Sequence, residues 1–177
     1  LNLFYMNRDS LQVNLSSQQD ENPNSFYFYT ANASKGYNYG LNLDCQIIPD
    51  ENLESYLNLG LLNTNINGYE YMVDTVTTFT NSDREAAHAP SYTFSAGFTK
   101  YYDNFYIGGN IEGKDKFYFS DSHNKISDPY SIANLYFGFK LSSNTDISIW
   151  SKNIFNKKYA IRGFYFQLEP PDWQDKL

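Results

Sequence analysis

Apolar and polar residues alternate with period two along most of this chain. Tyr37, Tyr39, Leu41, Leu43, Cys45 and Ile47 share one parity; Asn38, Gly40, Asn42, Asp44 and Gln46 hold the other. The same division sets Tyr92, Phe94, Ala96 and Phe98 against Thr93, Ser95, Gly97 and Thr99. It returns with Ala133, Leu135, Phe137, Phe139 and Leu141 against Asn134, Tyr136, Gly138 and Lys140. A strand projects successive side chains to opposite faces, so this period predicts β-strands with one apolar face. Seven antiparallel strands are predicted, over 1–16, 26–48, 53–65, 92–102, 105–120, 130–141 and 146–160. The second should bend around Ser34-Lys35-Gly36. On the first, Leu1, Leu3, Tyr5, Leu11, Val13 and Leu15 have one parity and are expected on one face.

The connections sort by length. Those at 49–52, 103–104 and 142–146 are short; those at 17–25, 66–90, 121–129 and from 162 onward are long. Transmembrane barrels have short turns at one end and long loops at the other. A soluble sheet has no reason to sort its loops, although its one solvated face would give the same alternation. Aromatics gather near strand ends: Tyr101, Tyr102, Phe105 and Tyr106 at a short turn, and 26–29, 117–119 and 164–166 toward the long loops. Rings with a polar edge favour the membrane–water boundary, so two girdles are expected.

Composition narrows the field. The chain of 177 residues suits one domain, is 19% aromatic and 19% charged, and carries a net charge of −7. It has no basic stripe, which argues against nucleic acid. No run of 18 apolar residues predicts a membrane helix, but a barrel strand needs only about 9–11 residues with every second one apolar. The face opposite the apolar one is rich in Asn, Ser, Thr, Gln and Gly, which suits a wet interior. Leu1 falls inside a strand pattern with no signal peptide before it, and we expect a fragment of a longer protein.

No catalytic constellation, phosphate loop or cofactor motif is legible. His88 and His123 lie in separate loops and read as solvated, as zinc wants three or four converging ligands. Asp83 and Glu85 read as loop surface. Cys45 reads as a small residue on an apolar face. Function is therefore expected in loop binding. Tyr69, Tyr71, Arg162, Tyr165 and Trp173 are of types enriched at contact hot spots and are the candidate ligand contacts.

Particular words add to the pattern. Asn153-Ile154-Phe155-Asn156-Lys157-Lys158-Tyr159-Ala160 resembles a block found on the penultimate barrel strand of TonB-dependent outer-membrane receptors. The stretch 31–44 and the run from Arg84 to Ala89-Pro90-Ser91-Tyr92 resemble other segments of that family, with Asp44 one position from the expected acid. The resemblance covers roughly 26–177. It implies an antiparallel up-and-down transmembrane β-barrel of the all-β class, with 1–177 as the C-terminal portion of a larger barrel of about 22 strands around a plug. It also implies the outer membrane as location, uptake of a scarce solute (an iron–siderophore complex, haem, cobalamin or an oligosaccharide) and coupling to the TonB complex through the plug. The plug, its TonB motif and the last strand would lie outside this chain. Two rivals stay open: a small eight-stranded outer-membrane barrel, and a soluble extracellular β-sandwich that binds glycans.

Overall fold

The computed structural model describes residues 1–19, 22, 25–72, 78–81, 83–121 and 123–164. Seven strands form one antiparallel sheet in chain order: β1 (Asn2–Gln18), β2 (Phe26–Asp50), β3 (Leu53–Ile66), β6 (Tyr92–Tyr101), β7 (Phe105–Lys114), β10 (Tyr130–Ser142) and β11 (Thr145–Ser151). Each pairs with its chain neighbour, so the sheet is an up-and-down meander rather than a two-layer sandwich. The long connections are not plain loops. The one after β3 carries the hairpin β4 (Tyr69–Met72) and β5 (Thr78–Asn81); the one after β7 carries β8 (Phe117–Tyr118) and β9 (Ile126–Ser127). The strand expected over 105–120 therefore stops at Lys114.

Register aligns the two faces across the sheet. Tyr5, Tyr39 and Asn63 lie in one row, Leu3, Leu41, Leu61 and Tyr92 in the next, and Phe137 sits between Ile107 and Ile149. This apolar face is open: Leu135 is 48% exposed, Phe137 42% and Ile149 71%. The described buried hydrophobics are Val13, Leu15, Ile66, Tyr69, Phe117 and Phe119, all toward the long-loop end. A sheet that keeps its apolar face outside and gathers its core elsewhere is built to meet hydrocarbon rather than water.

The polar face is tightly laid. Asn58 Nδ2 donates to Ser95 Oγ (3.1 Å), and Asn134 Nδ2 to Asn110 Oδ1 (3.3 Å). Thr99 and Tyr136 share a hydroxyl hydrogen bond, and the Tyr136 hydroxyl donates to the Phe98 carbonyl (3.3 Å). Tyrosine rings lie over glycines of the neighbouring strand: Tyr56 over Gly97, Tyr136 over Gly108, Tyr106 over Gly138. No other residue leaves room for a ring flat against the backbone.

Three further expectations need correction. Leu11, Val13 and Leu15 do not share a face with Leu1, Leu3 and Tyr5. Ser10 adopts φ 56°, while the register runs on unchanged from Asp9–Lys35 to Leu11–Ala33. A Cβ on Gly36, a polar-face position, would meet Leu11 Cδ2 at 2.8 Å. The alternation thus reverses here in both strands, with no residue inserted: Leu11, Val13 and Leu15 turn to the polar side together with Tyr29 and Ala31 of β2. Next, the return arm ends at Ser151 and does not run to Ala160. Asn153 and Asn156 take φ 51° and 50°, which no strand accommodates, and asparagine is among the few residues that tolerate it. Finally, the aromatic cluster at the 103–104 turn divides between the faces. Tyr102 stacks on Phe105 (4.4 Å) on the apolar side, and Tyr101 meets Tyr106 (5.9 Å) on the polar side.

β2 has 25 residues, more than twice what a tilted membrane strand requires. Its first part and the matching part of β1 therefore stand clear of the bilayer, at the end where the long connections gather. At the other end, Asp50 accepts from the Asn52 amide (2.8 Å) and pairs with Lys100 (3.2 Å), closing the short 51–52 turn.

Candidate functional site

The long-loop end is built from apolar contacts first. Val13, Leu15, Ile66 and Tyr69 form its core, with Leu11, Tyr29, Ala31 and Ala86 packed against it. The reversal at Ser10 makes this possible, because it delivers three apolar side chains to the side on which the connections fold. Tyr69 is 2% exposed and its hydroxyl donates to the Asp121 carbonyl (2.7 Å). Asp121 in turn accepts from the Ala87 amide at Oδ1 (3.0 Å), and Ala86 N–H donates to Thr64 Oγ1 (3.0 Å).

Arg84 joins the two connections. Its backbone exchanges hydrogen bonds with Ile66 (2.7 and 3.1 Å), which fixes its base on the edge of β3. The side chain is buried and reaches into 118–124. Nη2 donates to the Ser120 carbonyl (3.1 Å), Nη1 to Asn124 Oδ1 (3.0 Å), and both to the His123 carbonyl (3.4 Å). Nε donates to the Glu85 carbonyl (3.3 Å), and the guanidinium lies 4.1 Å from the centre of the Tyr118 ring. A buried cation held by neutral carbonyls and a ring face repels further positive charge nearby.

His123 registers that field. It is half-buried rather than the solvated loop histidine expected from its neighbours. Burial holds its pKa below the ordinary histidine value, and the charges of Arg84 and then Lys125 press it further down. Its Nδ1 accepts from the Lys125 amide (3.3 Å), as only the neutral ring can. On the same rim an open cleft of about 410 Å³ is bordered by Asn65, Asp83, Arg84, Glu85, Lys116 and Tyr118. Asp83 and Glu85 are exposed there. Among the described residues no group of three or more His, Cys, Asp or Glu could hold a metal.

A second structure borders this end. After Ser151 the chain leaves the strand and runs beside β10. Asn153 N–H donates to Asn134 Oδ1 and Ile154 N–H to the Ala133 carbonyl, both at 2.9 Å. Asn153 then closes a loop with Lys157: its Oδ1 accepts the Lys157 amide and its Nδ2 donates to the Lys157 carbonyl, each at 2.9 Å. Tyr159 stacks on Tyr130 (4.1 Å) and shares a shallow cleft at the end of the sheet with Thr93, Glu112 and Ile132 of polar-face parity and Phe94 and Gly113 of apolar-face parity.

The candidate contacts are placed unequally. Tyr69 is inside the core, joining the loops rather than facing outward. Tyr71 lies on β4 opposite Phe79. Arg162 is exposed, 5.8 Å from the Phe164 ring. Tyr165 and Trp173 lie outside the described residues. The sequence reading singled out neither Arg84 nor Asn153 as an organiser; its one signal for them was their place in the resembling words.

The chain matches the profile of a family described as "TonB dependent receptor-like, beta-barrel" over residues 1–156. No curated protein matches it. Among solved structures it is similar to the siderophore receptor PiuA from Acinetobacter baumannii, with a TM-score of 0.63 and 13% identity over 89% of this chain. That alignment spans 22% of the PiuA chain, so what is described here corresponds to about a fifth of that protein's length.

Proposed function

We propose, from the premise that this chain belongs to the TonB-dependent receptor β-barrel family, that it forms the C-terminal part of an uptake receptor's barrel. Proteins of this family reside in the outer membrane, and the family is one of receptors and transporters rather than an enzyme class. The apolar face of the sheet then meets lipid and the polar face lines the barrel interior. In the proposed protein a plug elsewhere in the sequence fills that interior and engages the TonB complex. The solute is a scarce one: an iron–siderophore complex, haem, cobalamin or an oligosaccharide. PiuA, described as a siderophore receptor, favours the first.

The observation that carries this reading is the sorting of structure between the two ends. Tight turns close one end; at the other, two folded connections are locked together by Arg84 and Tyr69 over the polar face. Tyr71 and Arg162 are proposed as ligand contacts with Tyr165 and Trp173, and Tyr69 as the residue that positions the rim. The test is transport by the full-length receptor in a strain deleted for its own receptors, with and without a working TonB complex. Uptake of an iron complex, haem, cobalamin or an oligosaccharide is expected to require TonB and to fall when 66–90 is deleted, while barrel assembly persists. Uptake indifferent to TonB would refute the proposal.

A further inference from the structure

The reversal at Ser10 divides the outward wall of β1 and β2 into two surfaces. From Tyr37 to Ile47 every second residue of β2 is apolar and faces outward. That matches the length of about 9–11 residues over which a tilted barrel strand crosses the membrane. The last rows before the reversal are Tyr5–Tyr39–Asn63 and Asn7–Tyr37–Asn65, where tyrosine and asparagine take the place of leucine. Such residues suit the boundary with water. Beyond it the apolar side chains turn inward to the rim core, and Gln12, Asn14 and Ser16 face outward, opposite Asn32, Thr30 and Phe28. A wall that turns its apolar side to lipid on one stretch and to protein on the next has left the membrane between them.

The upper wall is unlike an ordinary water-facing surface. In a chain that is 19% charged, segments 10–19 and 25–34 hold no charged residue. A soluble surface carries roughly 25–35%. Gln12, Asn14, Thr30 and Asn32 are exposed, and Thr30 Oγ1 donates to Asn14 Oδ1 (3.3 Å). Phe28, 76% exposed, lies on the same side, its ring 6.3 Å from that of Phe26. Amides and hydroxyls beside flat apolar rings, without charge, match the hydroxyls and C–H faces of sugars. At the lower end of this face Asp9 lies opposite Lys35 in the register, a balance that favours no anion. Between Lys35 and Phe26 the strand rises about 30 Å.

We propose that the outward face of β1 and β2 above Ser10 is a contact surface for the uncharged sugars of outer-leaflet glycolipid. The proposal rests on the barrel reading, in which the apolar face meets lipid. The upper wall continues that face without a break. What stands beside Gln12 and Asn14 is therefore the headgroup of the lipid whose tails lie beside Tyr39 and Leu41.

The test is photo-crosslinking in the full-length receptor, with a benzophenone amino acid in place of Tyr5, Val13 or Asn14. It is run in cells whose lipopolysaccharide carries complete core sugars and in cells whose lipopolysaccharide stops at the innermost ones. Position 14 is expected to give a glycolipid adduct in the first cells and to lose most of it in the second. Position 13 should give little in either, and position 5 lipid adducts in both. The variant Gln12→Ala, Asn14→Ala, Phe28→Ala should retain roughly three- to tenfold less core-bearing lipopolysaccharide on purification, in high salt as in low. An adduct at 14 that survives loss of the core sugars, equal adducts at 13 and 14, or none at 14 overturns the proposal. So does full retention by the variant, or a loss confined to low salt, the mark of phosphate binding. Lipid adducts at 5 without one at 14 overturn this proposal alone, whereas no lipid adduct at 5 overturns the barrel reading beneath it.

Discussion

The guanidinium of Arg84 lies 4.1 Å from the ring centre of Tyr118, and through that contact two long connections behave as one rim. The partners of Arg84 are neutral, so its position depends on geometry rather than on charge pairing. Arg84→Ala removes the hydrogen bonds to 120, 123 and 124 and should cost about 2–3 kcal/mol of rim stability. Hydrogen exchange should accelerate at amides 118–125 while the barrel strands stay protected. Arg84→Lys should not restore protection, because an ammonium cannot span the same carbonyls.

The same site predicts a pH dependence. The pKa of His123 in the folded rim lies below its ordinary 6.5, so the neutral ring is the form that folding favours. The unfolded rim takes up a proton first as pH falls. Rim stability should therefore be full above about 6.5 and decline from there down to the folded pKa. Removing Arg84 takes away a charge that depresses this value, so His123 should titrate higher in Arg84→Gln, which an NMR titration reads directly.

Tyr106 over Gly138 offers a test of packing on the polar face. A Cβ at Gly138 would fall inside that ring. Gly138→Ala should destabilise the folded barrel by about 1–3 kcal/mol, and Tyr106→Ala in the same chain should recover part of the loss. Denaturant titration in lipid vesicles measures the coupling; strict additivity would contradict the contact.

Placement against lipid is testable by one charge on each face. Phe137→Arg, on the apolar face, should cost about 2–4 kcal/mol if it faces the bilayer midplane and reduce assembly in the outer membrane. Asn110→Arg, on the polar face, should assemble nearly as well as the parent. Equal tolerance would argue that the apolar face does not meet hydrocarbon.

Asn153 tests how the segment after Ser151 is held. Asn153→Ala loses both hydrogen bonds to Lys157 and must hold φ 51° with no side-chain compensation, at a cost of about 1–2 kcal/mol. Asn153→Gly relieves the backbone but not the lost bonds. Protease cleavage between 153 and 162 should follow the order Ala, Gly, parent.

Local pattern alone determined the sheet of this protein. Seven strands, two faces and the separation of short from long connections were legible because a strand's side-chain period is two and its turn residues are distinctive, whatever surrounds it. Three-dimensional structure decided where the pattern is broken. At Ser10 the alternation reverses and carries Leu11, Val13 and Leu15 to the other side, and β11 stops at Ser151, just before the left-handed Asn153. Parity counting carries no term for a reversal within a strand. Nor could it assemble the rim: Arg84 meets Ser120 and Asn124, and Tyr69 meets Asp121, only because folding brings distant connections over one face. Hydrogen-bond partners 36 to 52 positions apart leave no periodic trace in the chain, since their geometry is set by the sheet between them.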